Sequence, residues 1–272
     1  MDRFRNNIIS IYKEQGEIWL EKLPEIISKL AQEWNLSNLK PIDNLSFNYV
    51  LSGYQNNKPI ILKLSFTAKD LTNEAKALKV FSGFGAATIL AQKDKALLLE
   101  RAVPGISLKE YSSDNKIAIA CSVMNKLHRA AIPEIHHFPN IKDQLKALDK
   151  EWDLPKTYLQ KARKLRDELL QNTEPQILLH GDLHHENMLQ NSKHWVVIDP
   201  KGVIGYPINE VCAFIIDIKK DTEFAANYFG FKLQEVRSWY FVQLMLAICW
   251  NLEDGIENEL FLKLADKAYS LV

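Results

Sequence analysis

The chain has 272 residues, 47% hydrophobic and 25% charged, enough for a sizeable core and for one large domain or two lobes. Its 34 Lys and Arg balance 34 Asp and Glu, so the formal net charge is zero. Nothing in that balance points to an electrostatic nucleic-acid binder or a membrane-surface protein, and no basic stripe with interleaved aromatics is present.

Cys121, Cys212 and Cys249 are far apart, odd in number and set among apolar neighbours. They read as free thiols in a reducing compartment, not as a disulfide frame or a zinc site. The start "MDRFRNNIIS" shows no cleavage signature, and no run of 18 apolar residues is present. A cytoplasmic protein with no membrane span is the expectation.

Residues 2–33 carry apolar side chains at helical spacing, with Gly16 and Pro24 expected to divide them into two or three helices. "WNLSNLKPIDN" reads as a connection. "FNYVLSGY" and "KPIILKLS", joined by the polar "QNN", read as an antiparallel hairpin. "TAKDLTNEAKALKVFSG" reads as a helix ending near Gly83, and "AATILAQKDKALLLER" as two strands joined at "QKDK". Pro104 and Gly105 in "AVPGISL" mark a linker out of this small sheet. Beyond it the pattern is mostly helical: 116–131, 156–172, 224–230, 232–255 and 257–272. The exception is residues 176–204, where "QILLHGD", "NMLQ" and "HWVVIDP" look like short strands and turns. The expected domains are 1–101, N-terminal helices with a β-rich lobe, and 102–272, a mainly helical lobe; the fold class is α+β.

The chemistry centres on "LLHGDLHHENML", residues 178–189. Asp182 follows an apolar run and a glycine, Asn187 comes five residues later, and Asp199 ends the strand-like "WVVID". If "NML" and "WVVID" form a hairpin, Asn187 and Asp199 come close and Asp182 faces them. Phosphoryl transfer needs such a set: a carboxylate to orient and deprotonate a hydroxyl, and hard oxygen ligands for magnesium. Asp182 is the expected base, and Asn187 and Asp199 the expected metal ligands. His180, His184 and His185 do not match H-E-x-x-H, and the adjacent pair cannot both point inward, so zinc is disfavoured. No G-x-S-x-G nucleophile elbow is present either.

"HGDLHHEN" followed by "VIDPKG" resembles the catalytic and metal motifs of the aminoglycoside phosphotransferase-like kinases. "GDLHHEN" with "IDPKGVIG" is most similar to the streptomycin 6-phosphotransferase and hydroxyurea phosphotransferase group. The likeness runs from about residue 40 but is strong only over 178–212. It implies a two-lobed protein-kinase-like fold and an ATP-dependent, magnesium-using O-phosphotransferase acting on a small hydroxylated acceptor. Such a chain binds nucleotide and acceptor and no nucleic acid; its oligomeric state is open.

By the same resemblance, Lys63 and Glu74 are the strand lysine and helix glutamate that serve the nucleotide phosphates. Leu99, Glu100 and Ala102 take the hinge positions, Glu100 and Ala102 contacting adenine through their backbone. The phosphate-covering loop, "DNLSFNY", has no glycine and leaves Ser46 and Asn48 as phosphate contacts. Glu210 takes the place of an acid tying the catalytic loop to the next helix, and Tyr206 stands where relatives often carry an acid. Lys201 reads equally as a phosphate contact, a partner of Asp182 or Asp199, or a plain turn lysine. Glu253 and Asp254 are candidate contacts for a cationic acceptor such as an aminoglycoside, and Glu151 and Asp153 a second such pair. The alternatives are a metabolic small-molecule kinase of the same fold and a nucleotide-binding pseudokinase acting as a binding module.

Overall fold

The structure, a computed structural model, describes residues 2–43, 45, 47–171 and 175–272, without the side chains of Asp2 and Asp70. The chain forms two compact units, Met1–Ile106 with Leu189–Ile198, and Ser107–Met188 with Asp199–Val272. The second unit thus omits part of 102–272, because the hairpin strands of 188–197 pair with residues 104–107.

In the first unit, helix α1 (Asp2–Glu33) breaks at Lys13, whose φ is 52°, and not at Gly16 or Pro24. Gly16 has a different reason to be glycine. The kink turns the helix back on itself, and a Cβ there would lie 2.8 Å from the Ile8 carbonyl oxygen. Strands β1 (Leu36–Pro41), β2 (Asn48–Gln55), β3 (Lys58–Ser65), β4 (Ile89–Lys93) and β5 (Ala96–Glu100) form an antiparallel sheet in the order β1-β2-β3-β5-β4. Strand β1 occupies the stretch read as a connection; it is an edge strand with mostly exposed polar residues, so it carries no alternating signal. The expected hairpin is β2–β3, in register from Asn48↔Ser65 to Gln55↔Lys58. Its two turn residues, Asn56 and Asn57, have φ of 49° and 63°, the left-handed pair that a tight hairpin turn requires.

Alternation along the strands decides what each face meets. Ile60, Leu62, Leu64 and Leu98 pack with Phe4, Ile8, Trp19 and Leu23 of α1. Leu97 and Leu99 face the other way, against Leu71, Ala75 and Leu78 of α2 (Ala68–Val80). Lys63 shares the parity of Ile61, which also packs on the α2 side. Strand β6 (Pro104–Ser107) lies inside the expected linker and joins β8 (Met188–Asn191) and β9 (His194–Val197) in the order β6-β8-β9.

The second unit contains α3 (Lys116–Leu127), the short α4 (Ile141–Leu145), α5 (Lys156–Leu169), α6 (Pro207–Val211), α7 (Ile218–Phe229), α8 (Leu233–Glu253) and α9 (Glu259–Tyr269). Helix α8 packs against α5, α6, α7 and α9. Its buried residues run all round the cylinder, from Val236 to Cys249, as expected of a helix enclosed by others. Strands β7 (Ile177–Leu179) and β10 (Val203–Gly205) form a two-stranded antiparallel ladder. All three cysteines are free. Among the described residues no helix is long and apolar enough to cross a membrane.

Candidate active site

The pairing of β7 with β10 sets the site in the second unit. Leu179 at the end of β7 opposes Val203 at the start of β10. The loop leaving β7, with His180, Gly181 and Asp182, therefore lies beside the loop entering β10, with Asp199 to Gly202. The His180 carbonyl locks them together, accepting the N–H of Lys201 at 2.8 Å and of Gly202 at 3.1 Å.

Glu210 on α6 holds the same loop from beneath. Its Oε2 accepts the His180 N–H at 2.5 Å and its Oε1 the Gly181 N–H at 3.0 Å. The sequence reading expected an acid here to tie the loop to the helix, and Glu210 makes that tie. Burial pushes the Glu210 carboxyl up. The hydrogen bond from the His128 side chain and the Gly181 N–H help to outweigh it, and the group is held below the ordinary carboxylate value. His128 Nε2 lies 3.5 Å from Oε2. The fully buried His180 ring accepts the Asp182 N–H through Nδ1 at 3.3 Å, which places its own proton on Nε2. Gly181 has φ +80°, and a Cβ there would stand 2.7 Å from Val203 Cγ2. This glycine is required by both conformation and space.

With its backbone fixed, Asp182 keeps an accessible carboxylate: 39% of its side chain is exposed. Oδ1 is 3.7 Å from His184 Nε2 and Oδ2 is 4.0 Å from Lys201 Nζ. Of the readings of Lys201, the geometry favours the loose pairing with Asp182. Asn187 is buried, and its Nδ2 donates to the Asp182 carbonyl at 2.8 Å, so its Oδ1 is the atom left for another partner. His184 braces the turn: Nδ1 accepts the Glu186 N–H at 3.2 Å, and Nε2 lies 3.2 Å from Asn187 Nδ2. Burial, with the Lys116 charge, lowers the His185 pKa, which keeps that ring neutral.

Asp199 adopts φ +58°, a left-handed conformation that a non-glycine residue takes at some cost and that clusters at functional sites. An amide oxygen from Asn187 and a carboxylate from Asp199 are hard donors that suit magnesium, which keeps several waters and takes phosphate oxygens. Among the described residues no group of three or more His, Cys, Asp or Glu side chains is placed to hold a metal.

The first unit supplies the other expected pair. Lys63 Nζ donates to Glu74 Oε2 at 2.7 Å, and both side chains are buried. The parity of β3 turns Lys63 toward α2. There Glu74 lies on the face of Leu71, Ala75 and Leu78, at i, i+3, i+4 and i+7. Leu99 is buried on that side of β5, the Glu100 N–H donates to the Thr88 carbonyl at 2.9 Å, and Ala102 is buried just beyond the strand. Ser46 lies outside the described residues.

Glu253 and Asp254 sit at the C-terminal end of α8, where Glu253 is exposed and paired with Lys150 at 2.8 Å. Neither lines the cavity that opens beside Asp182. That cavity lies wholly in the second unit and measures about 380 Å³. Gln144, Asn209, Tyr240, Gln243 and Trp250 line it, and the sequence reading named none of them for a role. They come from α4, α6 and α8, and each alone reads as an ordinary helical residue.

Residues 34–234 match the sequence profile of the aminoglycoside/hydroxyurea antibiotic resistance kinases. The chain belongs to that family. The phosphotransferase class read from "HGDLHHEN" and "VIDPKG" is the family's class. The streptomycin 3''-kinase of Klebsiella pneumoniae is 28% identical over 182 residues, 64% of this chain and 66% of that enzyme, just short of two thirds. The streptomycin 6-kinase of Streptomyces glaucescens is 19% identical over 273 residues, covering 90% of this chain and 88% of that enzyme. Among solved structures, a thermostable mutant of aminoglycoside phosphotransferase APH(4)-Ia, in ternary complex with ADP and hygromycin B, is similar with a TM-score of 0.67. It is 14% identical and covers 90% of this chain and 95% of its own. That likeness shows the fold, the α+β, protein-kinase-like one expected from sequence.

Proposed function

We propose that this chain is an ATP-dependent O-phosphotransferase acting on a hydroxyl of a small molecule. One observation carries the reading. The Asp182 carboxylate is exposed beside a cavity on a loop whose backbone is fixed by Glu210 and by the His180 carbonyl. Such preorganisation is what in-line transfer asks of a protein, since positioning and charge supply most of the catalysis.

Asp182 orients the acceptor hydroxyl and takes its proton. The hydroxyl oxygen bonds to the γ-phosphorus, the bond from that phosphorus to the β–γ bridging oxygen breaks, and ADP leaves. Lys63, held by Glu74, binds the α- and β-phosphates, and the Glu100 and Ala102 backbone with Leu99 holds the adenine. Asn187 and Asp199 would hold Mg2+, which when bound offsets charge on the phosphates. The relatives named as streptomycin kinases make streptomycin the first acceptor to try. ADP release and phosphorylated product, followed over a panel of aminoglycosides and metabolites, test the reading. Wild type should form product with at least one acceptor and Asp182→Asn should not; equal product from both sinks it. A Mg·ATP-dependent rise in melting temperature without any product would leave a nucleotide-binding module instead.

A further inference from the structure

The cavity beside Asp182 has few polar side chains that a ligand can meet. It measures about 380 Å³, at the small end of the roughly 300–1,000 Å³ that small-molecule pockets span. Leu244, Phe261 and Leu264 give it apolar walls. Of its two carboxylates, Glu210 accepts backbone N–H groups with both oxygens, which leaves Asp182, the reacting base. His184 is turned to its own loop, its ring nitrogens each 3.2 Å from a donor, the Glu186 N–H and Asn187 Nδ2. Asn209 and Tyr240 are each 5% exposed and offer a ligand little surface.

Two side chains remain, Gln144 on α4 and Gln243 on α8. Both are half-buried. Among the described residues neither carboxamide has a hydrogen-bond partner, and neither has an atom sealed from solvent, so both stay open to the cavity they line. Gln144 follows Ile141 by one helical turn, and Gln243 shares the face of Leu244, Ala247 and Trp250, at i, i+1, i+4 and i+7. A carboxamide both donates and accepts, and so does a hydroxyl, so the two match. An ammonium only donates and would use half of each amide. A polycation would also have to shed its hydration in a mostly apolar pocket against the one Asp182 charge. Trp250, 39% exposed in the same wall, offers a flat apolar face on which ring C–H groups can lie.

Resting on the kinase reading above, we propose that the acceptor is an uncharged polyhydroxylated ring, a sugar or a cyclitol, whose hydroxyls are read by Gln144 and Gln243. Asp182 takes the proton of one hydroxyl, and the two carboxamides bond others on the same ring. Trp250 carries the ring's C–H face. Gln144 and Gln243 are specificity-determining residues in this assignment.

The test uses the full chain and matched probes: neutral hexoses, pentoses and inositols, their amino-substituted cationic counterparts, their single-deoxy analogues, and streptomycin. Binding is read by titration calorimetry, and transfer from Mg·ATP by phosphorus NMR. At least one neutral probe should bind about 10-fold or more tightly than its cationic counterpart and than streptomycin, and should be phosphorylated. Loss of one neutral hydrogen bond changes affinity by about 3- to 10-fold, so a deoxy analogue lacking a hydroxyl that a glutamine reads should weaken by that factor. Gln144→Leu and Gln243→Leu should each raise KM for the neutral probe by about the same factor. Each should also abolish the preference for the full ring over one deoxy analogue, which a merely structural role would leave in place. Equal or tighter binding of the cationic probes or streptomycin, no binding of any neutral probe, or glutamine variants that keep the preference overturns the assignment. Failure of the kinase reading looks different: no melting shift with Mg·ATP and no product from any probe, whatever the cavity binds.

Discussion

Replacing Glu210 with Gln tests whether the catalytic loop is held as described. The carboxylate accepts two backbone N–H groups, from His180 and Gly181, at 2.5 and 3.0 Å, and is 3% exposed. Gln keeps one oxygen and turns an NH2 toward the other N–H. One buried donor is then left facing a donor, and the surviving bond loses its charge. A hydrogen bond to a charged group contributes about 1.5–3 kcal/mol, and an unsatisfied buried donor costs about 1–3 kcal/mol. The expected loss is about 3 kcal/mol, a large share of a typical total of about 5–15 kcal/mol. With a urea m-value of about 2–3 kcal/mol/M the midpoint should fall by about 1 M. Because Glu210 touches the loop carrying Asp182, kcat should fall while KM for nucleotide changes little. Urea titration with tryptophan fluorescence and steady-state kinetics check both. An unchanged midpoint, or a loss confined to nucleotide KM, would refute the reasoning.

Asp182→Asn should cut kcat by about 100-fold or more, since general-base catalysis contributes about 10²–10⁴, with the melting temperature unchanged at this partly exposed site; thermal scans and turnover assays check it. Gly181→Ala meets a left-handed φ and Val203 Cγ2 at 2.7 Å, so it should destabilise by about 1–3 kcal/mol in urea unfolding. Lys63→Met breaks the buried ion pair with Glu74 and should cost about 3–5 kcal/mol, while Lys63→Met with Glu74→Leu should recover much of the stability without recovering nucleotide binding. Both Glu210 and His185 have lowered folded pKa values, so each binds fewer protons folded than unfolded, and acid destabilises the fold. The His185 contribution is present above its unfolded value near 6.5 and is lost as pH falls through its folded value. The Glu210 contribution is present above about 4.5 and is lost below that. Melting temperature against pH should fall in two stages, and His185→Asn should remove the upper one.

The parts of this molecule that were legible in sequence are those where a period and a chemical type coincide. Lys63 and Glu74 were expected as a pair from the family resemblance, and strand parity and the helical period bring them together as a buried ion pair. Asp182, Asn187 and Asp199 stand out in the sequence by their spacing at strand ends, which phosphoryl transfer would need. The kink at Lys13 was misplaced because a close approach to Ile8, not a break, demands Gly16. Strand β1 was missed because its two core-packed leucines, Leu36 and Leu39, are three residues apart across an irregularity in register, which leaves no two-residue alternation to see. The cavity wall was invisible for another reason. Tyr240, Gln243 and Trp250 share one face of α8, but Asn209 joins them only when α6 packs on α8, and no local pattern records that packing.

His180 does no chemistry, yet its backbone ties two other segments to the loop and its ring braces the loop itself. Its N–H goes to Glu210, its carbonyl to Lys201 and Gly202, and its Nδ1 to Asp182. Anyone grafting this site onto another scaffold would have to carry across α6 and the β10 entry loop along with the histidine. A graft of "HGD" alone would deliver the base without the frame that aims it.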